Sequence, residues 1–334
     1  MEQHRYWLAG FELASEFALP LPACPSGMAA MQPAVRVYRG AAPMLSAPSV
    51  QRLLLQVASH DYWLEIPQVA RYRVRGGREI VVEVAPGALT STVAAYLCSY
   101  ALAALCCQRG LLVVHATALG WSDQAILLVG SSGCGKTTLG AFMAARGARA
   151  LSDDLCIIDT VDECALAQPS DRWFNLWPDS AARLSYAPPG AHQPIAGVAK
   201  RAVEVGAAET RALPVRLVLL LREARSPQPK LRLEPFRPLD ALVSLAGGAG
   251  LAALLQGMNR AAAHLEQCRR LITQARACQI VYPRTFEELP RVAQLIEELA
   301  TDAANGAQVA EGASGLRRCL STGAADDAIV TATR

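Results

Sequence analysis

The residues best equipped for chemistry in this chain are Gly130-Ser131-Ser132-Gly133-Cys134-Gly135-Lys136-Thr137. They satisfy G-x-x-x-x-G-K-[ST] at every fixed position, the spacing with which a loop wraps nucleotide phosphates. Glycines let backbone N–H groups turn inward around anionic oxygens, and a helix opening at the loop adds its partially positive first turn. Lys136 is then placed to reach the β- and γ-phosphates, and the Thr137 hydroxyl is a hard oxygen ligand for Mg2+. Thr138, which opens the helical stretch, is counted with the loop. The cofactors this implies are ATP and Mg2+.

Three more residues stand at suggestive distances. His115 precedes Lys136 by 21 positions (136 − 115), and Asp153 follows it by 17 (153 − 136), with Asp154 adjacent. Transfer of a γ-phosphoryl group needs positive charge on the phosphate oxygens, an acceptor oxygen held in line, and a carboxylate to receive its proton. Two neighbouring acids repel each other, which raises the pKa of the one not bound to metal. One can serve as base while the other serves the cation. Asp159 and Glu223, each beside an apolar run, rank below Asp154 as metal ligands.

The elements around these residues follow from pattern. An apolar strand, Ala125 to Val129, leads into the loop, and Thr138 to Arg146 reads as the helix leaving it. Leu111 to Leu119 reads as a strand turned back by Gly120 to Gln124, giving a hairpin that feeds the loop and carries His115. Ala148 to Leu151 and Leu155 to Ile158 bracket Ser152-Asp153-Asp154, so the acids lie at a strand edge.

Farther on, Val215 to Leu221 is a strand expected to pair with Lys230 to Leu233. Leu239 to Ala275 is helical with a break at Gly247 to Gly250, Gln279 to Tyr282 is a strand, and Phe286 to Leu299 a closing helix. Before the hairpin, residues 1–86 alternate short β-type runs, at Tyr6, Val35, Leu53 and Ile80, with turn residues. The loop from Leu19 to Pro48 reads as irregular, and Arg75-Gly76-Gly77-Arg78 as a tight hairpin turn. Residues 87–110 read as a helix capped by Thr90 or Ser91 and ended by Gly110. The expected division is therefore a β-rich domain over 1–86, a catalytic domain over 87–300, and a disordered tail over 301–334.

Composition narrows the partners. With 334 residues, 52% of them hydrophobic, the chain can build a large core. Lys and Arg number 32 against 29 Asp and Glu, a net charge of +3, too little to call for nucleic acid or an anionic membrane. Ten cysteines lie scattered without a C-x-x-C pair, and the polar start lacks the apolar core of a secretory signal, which points to a reducing cytoplasm. The uncharged run from Ala85 to Gln108, diluted by Ser, Thr and Ala, reads as a buried helix rather than a membrane span. Room is left for a homo-oligomer.

The segments His-Ala-Thr-Ala-Leu, Gly-Ser-Ser-Gly-Cys-Gly-Lys-Thr and Leu-Ser-Asp-Asp-Leu, at these spacings, resemble the catalytic core of the HPr kinase/phosphorylase family over roughly 111–159. That resemblance implies an α/β (α+β) fold similar to phosphoenolpyruvate carboxykinase with a P-loop, here preceded by the small β-rich domain. It implies that Asp153 is the base for an acceptor serine, that Asp154 helps hold Mg2+, and that His115 lies beside the acid pair. Where that family carries a glycine-rich Arg-Gly signature and a further Mg2+-binding Glu, this chain reads Arg172-Trp173-Phe174-Asn175-Leu176-Trp177-Pro178-Asp179-Ser180, which points away from HPr itself and from phosphorolysis. The N-terminal module, Leu-Trp-Pro-Asp and Ala199-Lys200-Arg201 are instead similar to HPr-kinase-like proteins associated with peptide natural products, those most similar phosphorylating the terminal serine of lasso-peptide precursors. Lys200 and Arg201 read as a solvated basic pair, and Trp173 and Trp177 as core. The function expected is an ATP/Mg2+-dependent serine kinase for a peptide or protein. A small-molecule hydroxyl kinase and a nucleotide-binding regulator that transfers nothing are the alternatives.

Overall fold

The structure, a computed structural model, describes residues 3–25, 27, 34–161, 164–170, 173–186, 200–224, 230–235, 238–247 and 249–310. It is mixed α/β. Eight strands form the first sheet: β1 (His4–Leu8), β2 (Phe11–Ser15), β3 (Val35–Arg39), β4 (Val50–Arg52), β5 (Leu55–Ala58), β6 (Asp61–Ile66), β7 (Ala70–Arg75) and β8 (Glu79–Val84). Their order is β1-β2-β3-β8-β7-β6-β5-β4. Alternate residues such as Phe11 and Leu13, or Tyr72 and Val74, point to the buried face, as the period of a half-buried strand requires. The expected turn at Arg75 to Arg78 is present, with Gly76 and Gly77 at φ +54° and +64°. The run at Leu53 begins two residues late, because Leu53 and Leu54 form the turn between β4 and β5.

The buried face of this sheet packs on one helical run: α1 (Thr90–Tyr96), a π-helical turn over Leu97–Ala101, and α2 (Leu102–Gln108). Gly110, at φ +82°, ends it as expected, but Leu89 rather than Thr90 or Ser91 sits at its N-cap, without a side-chain cap. Among the described residues, Thr90–Gln108 is one helix long and apolar enough to cross a membrane, and Leu239–Leu245 with Gly250–Gly257 would pass as a bent pair. Here Thr90–Gln108 lies against the sheet, with the Tyr72 hydroxyl donating to the Val93 carbonyl. The hairpin turn is tied to its end, since Gly77 N donates to Gln108 Oε1 and Arg109 Nη1 donates to Gly77 O.

The second sheet carries the chemistry. Its strands are β9 (Leu112–Val114), β10 (Ala116–Trp121), β11 (Gln124–Val129), β12 (Arg149–Ser152), β13 (Cys156–Val161), β14 (Cys164–Gln168), then β17 (Leu213–Glu223), β18 (Arg232–Pro235) and β19 (Arg276–Tyr282), with β15 (Trp173–Leu176) and β16 (Arg201–Glu204) forming a separate ribbon. β10 and β11 form the expected hairpin. The strand read as continuous from Leu111 to Leu119 is divided at His115: β9 pairs with β13, while β10 pairs with β11 and β12.

β17 runs parallel to both β11 and β19. That occupies the edge expected for Lys230 to Leu233, so β18 pairs antiparallel with β19 instead. β11 is buried on both faces, as interior strands of such sheets are. Ile126 and Leu128 pack toward α3 (Lys136–Ala145) and α8 (Leu289–Ala310), while Ala125, Leu127 and Val129 share a core with α5 (Pro238–Leu245) and α7 (Ala261–Gln274). α4 (Pro178–Arg183) follows β15, and α6 (Ala249–Gly257) contributes Leu254 and Leu255, with Met258 just beyond it, to the first sheet's core. The expected tail starts too early, because α8 continues through Ala310 over a run rich in alanine, the best helix former. Residues 311–334 lie outside those described.

Candidate active site

The glycine-rich loop joins β11 to α3. Gly130 has φ +146°, and a Cβ there would stand 2.8 Å from Cys134 Sγ and from Leu221 O. Gly135, at φ +100°, serves as N-cap of α3, and its Cβ would stand 2.8 Å from the Tyr282 hydroxyl. Glycine is therefore required at both positions by backbone conformation and by space. The end of β19 pins the loop from outside: Tyr282 Oη donates to Cys134 O at 3.1 Å, and Arg284 Nη1 to Gly133 O at 2.8 Å. Glu223 pairs with that Arg284 at 3.6 Å.

Lys136 is buried, and its Nζ donates to Gly130 O at 2.9 Å and Ser131 O at 3.3 Å, so the ammonium is folded against the loop's own carbonyls. Thr137 and Thr138 occupy the first turn of α3, where Thr138 Oγ1 lies 3.4 Å from Ser180 Oγ.

Asp153 approaches from the end of β12. Its Oδ1 accepts from Thr117 Oγ1 at 2.7 Å and from Thr137 Oγ1 at 3.1 Å, and its Oδ2 accepts from the Asn175 backbone N–H at 3.1 Å. Only 4% of the residue is exposed. Burial, with the neighbouring charge of Asp154 second, pushes its pKa up to about 7, against the lowering effect of those three hydrogen bonds. Asp154 takes a left-handed conformation, φ +64°, uncommon for a residue other than glycine, which turns the chain sharply after Asp153.

His115 sits in the break between β9 and β10. Its Nδ1 lies 3.1 Å from the Asp154 carbonyl, which can only accept, so Nδ1 carries the proton and the neutral ring leaves Nε2 as a lone pair. Burial first, and the Lys136 charge second, lower the pKa of this ring. His115, both acids and the loop are thus brought together.

Thr137, however, meets Asp153 rather than Asp154, its expected companion on the metal. Asp159 lies within β13, paired with Leu166. Thr137 and the carboxylates supply hard oxygen donors of the kind Mg2+ takes. Among the described residues no group of three or more His, Cys, Asp or Glu is arranged for a metal, so a cation here would draw the rest of its ligands from phosphate and water.

A cleft of about 920 Å3 opens on this site. It is lined by Ser131, Ser132, His115, Asp154, Asn175 and Lys200 together with Tyr62, Tyr96, Tyr100, Leu64 and Leu251. Two expectations change here. Trp177 is not core but 49% exposed, with Lys200 Nζ 5.9 Å from its ring centre, and Lys200 faces the cleft, where its charge adds to the lowering of the His115 pKa. Trp173 is half-buried. The side chain of Arg201 and residue 199 lie outside the described set. Thr117 and Asn175 went unnoticed in the sequence. Thr117 sits two residues beyond His115 on β10, and a period-2 count from the histidine would have put both on one face.

No protein-family model matches the sequence, and no curated protein does either. Among solved structures the chain is similar to the Hpr(Ser) kinase/phosphatase from Coxiella burnetii, at 13% identity and a TM-score of 0.31, over 59% of this chain and 98% of that one.

Proposed function

We propose that the chain is an ATP- and Mg2+-dependent kinase that moves the γ-phosphoryl group to a serine hydroxyl of a peptide or protein, with a lasso-type precursor peptide as its acceptor. The observation that carries this is the 3.1 Å contact between Thr137, in the loop's last position, and a buried carboxylate, Asp153, whose pKa burial pushes up from the usual carboxylate range. A base works best when its pKa is near the working pH. In the transfer, the serine oxygen bonds to γ-phosphorus, the bond from phosphorus to the bridging β–γ oxygen breaks, ADP departs, and the serine proton passes to Asp153. Lys136 would leave the loop carbonyls for phosphate oxygens. Neutral His115 would hold the backbone at Asp154 through Nδ1. A bound Mg2+ would neutralise phosphate charge, held by Thr137 and Asp154.

The same contact favours a second division of labour: Asp153, bonded to Thr137 and shielded, serves the cation, and Asp154, which lines the cleft, takes the proton. The test is transfer from γ-labelled ATP to serine peptides by wild type, Asp153→Asn and Asp154→Asn across a Mg2+ series. Loss of turnover without a change in Mg2+ requirement identifies the base, while a raised Mg2+ requirement identifies the metal ligand. Nucleotide binding with no transfer by wild type to any peptide or metabolite would replace the kinase with a nucleotide-binding regulator.

A further inference from the structure

The part of the cleft lining that comes from outside the loop and its acids carries a second property of the molecule. Leu55, Tyr62 and Leu64 come from the first sheet, Tyr96, Ser99 and Tyr100 from the helical run, and Val243 and Leu251 from α5 and α6. These separate elements line the same cleft as the loop and Asp154. Among the described residues, the charged or titratable groups that line the cleft are His115, Asp154 and Lys200, apart from the tyrosines. The rest is uncharged and largely apolar. A polar metabolite or nucleic acid would find no cation or carboxylate there to replace its hydration, and burying its polar groups unpaired would oppose binding.

Two more observations point to an occupant. The helical run is π-helical over Leu97–Ala101, the turn that carries Ser99 and Tyr100, and such turns are uncommon and concentrate at functional sites. The Tyr96 and Tyr100 rings stack at 6.0 Å, and Tyr100 and Val243 are left 48% and 66% exposed at the cleft. At about 920 Å3 the space, which the nucleotide at the loop shares, is near the upper end for ligand clefts. Tyr96, Ser99 and Tyr100 bring hydroxyl groups to these largely apolar walls, suited to meet the amides of an extended backbone rather than a bare hydrocarbon chain.

We infer that the N-terminal sheet and the π-helical turn form an acceptor subsite that holds a peptide segment by aromatic or large aliphatic side chains flanking its hydroxyl-bearing residue. The inference rests on the kinase reading for the position of that hydroxyl, beside His115 and Asp154. Selection of the acceptor then falls to the first sheet. Charged residues beside the acceptor hydroxyl would be stripped of water against uncharged walls and are selected against.

The experiment uses the full chain and three fluorescein-labelled serine peptides, flanked by Trp and Leu, by Glu, or by Gly, read by anisotropy. Tyr100→Glu and Val243→Glu replace exposed side chains, so the fold has little to lose, and circular dichroism melts check it. The Trp/Leu peptide should bind saturably, at least ~10-fold more tightly than the others, and each variant should weaken it by ~10-fold or more. Equal binding of all three peptides, no effect of either variant, or saturable uptake of 1-decanol in place of the peptide would overturn the inference. A separate titration with mant-ATP tells the two readings apart: no nucleotide binding by wild type defeats the kinase proposal, whereas peptide selectivity without response to Tyr100→Glu defeats the subsite.

Discussion

Replacing Asp153 with Asn tests how the protein carries a charge where water is nearly absent. The carboxyl is raised from 3.8 to about 7, so between those values the folded protein holds a proton that the unfolded chain has released. Stability associated with this group is therefore full below about 3.8 and is lost as pH rises to about 7. About three pKa units at roughly 1.36 kcal/mol each put the cost of the ionised form at about 4 kcal/mol above pH 7.

Asn removes that cost but cannot serve all three donors, Thr117, Thr137 and the Asn175 N–H, and leaving one unpaired costs about 1–3 kcal/mol. The net expectation is a variant about 1–3 kcal/mol more stable than wild type at about pH 8 and equal or less stable at about pH 4, while turnover in the proposed phosphoryl transfer falls by roughly 10²–10⁴. Urea denaturation at half-unit pH steps reads the difference directly. A wild-type minus variant curve that is flat from pH 4 to 8, or that favours wild type at pH 8, would refute the burial argument.

Other consequences are more local. Asp154→Asn removes the second cause of that shift, so the same urea series should place the Asp153 midpoint below that of wild type; an unmoved midpoint would leave burial as the sole cause. His115, lowered by burial and Lys136, should titrate below 6.5 by NMR, and its stability contribution should be present above 6.5 and fade as pH falls through its folded value; a midpoint above 6.5 would contradict the contacts described. Gly135→Ala forces a side chain onto φ +100° and into the Tyr282 hydroxyl, and should cost about 1–3 kcal/mol in denaturation together with nucleotide affinity. A variant as stable as wild type would mean the loop relaxes freely.

What the sequence made legible was local. The loop, its entry strand and the acid pair announce themselves because each motif is contiguous and its chemistry fixes the spacing. The β10–β11 hairpin and the helix ending at Gly110 followed from periodicity and turn residues in the same way. What stayed hidden was non-local. The division of one apolar run at His115 depends on β9 leaving for β13, and the displacement of β18 to β19 depends on β11 and β19 already flanking β17. Both are decided by strands distant in sequence. Lys200 and Trp177 looked like a solvated residue and a core aromatic because nothing nearby in the chain reveals that Lys200 lines a cleft and meets the Trp177 ring. The first sheet read as a separate module, and only its packing on Thr90–Gln108 brings Tyr62, Tyr96 and Tyr100 toward the loop.

The most direct measurement is calorimetric titration of the full chain with Mg2+ and AMP-PNP, wild type beside Lys136→Ala. Saturable binding by wild type that is weakened tenfold or more in the variant is the result expected of a lysine that exchanges loop carbonyls for phosphate. Absence of binding, or equal affinity in both proteins, would contradict the assignment of this loop to a nucleotide's phosphates, and the kinase reading with it.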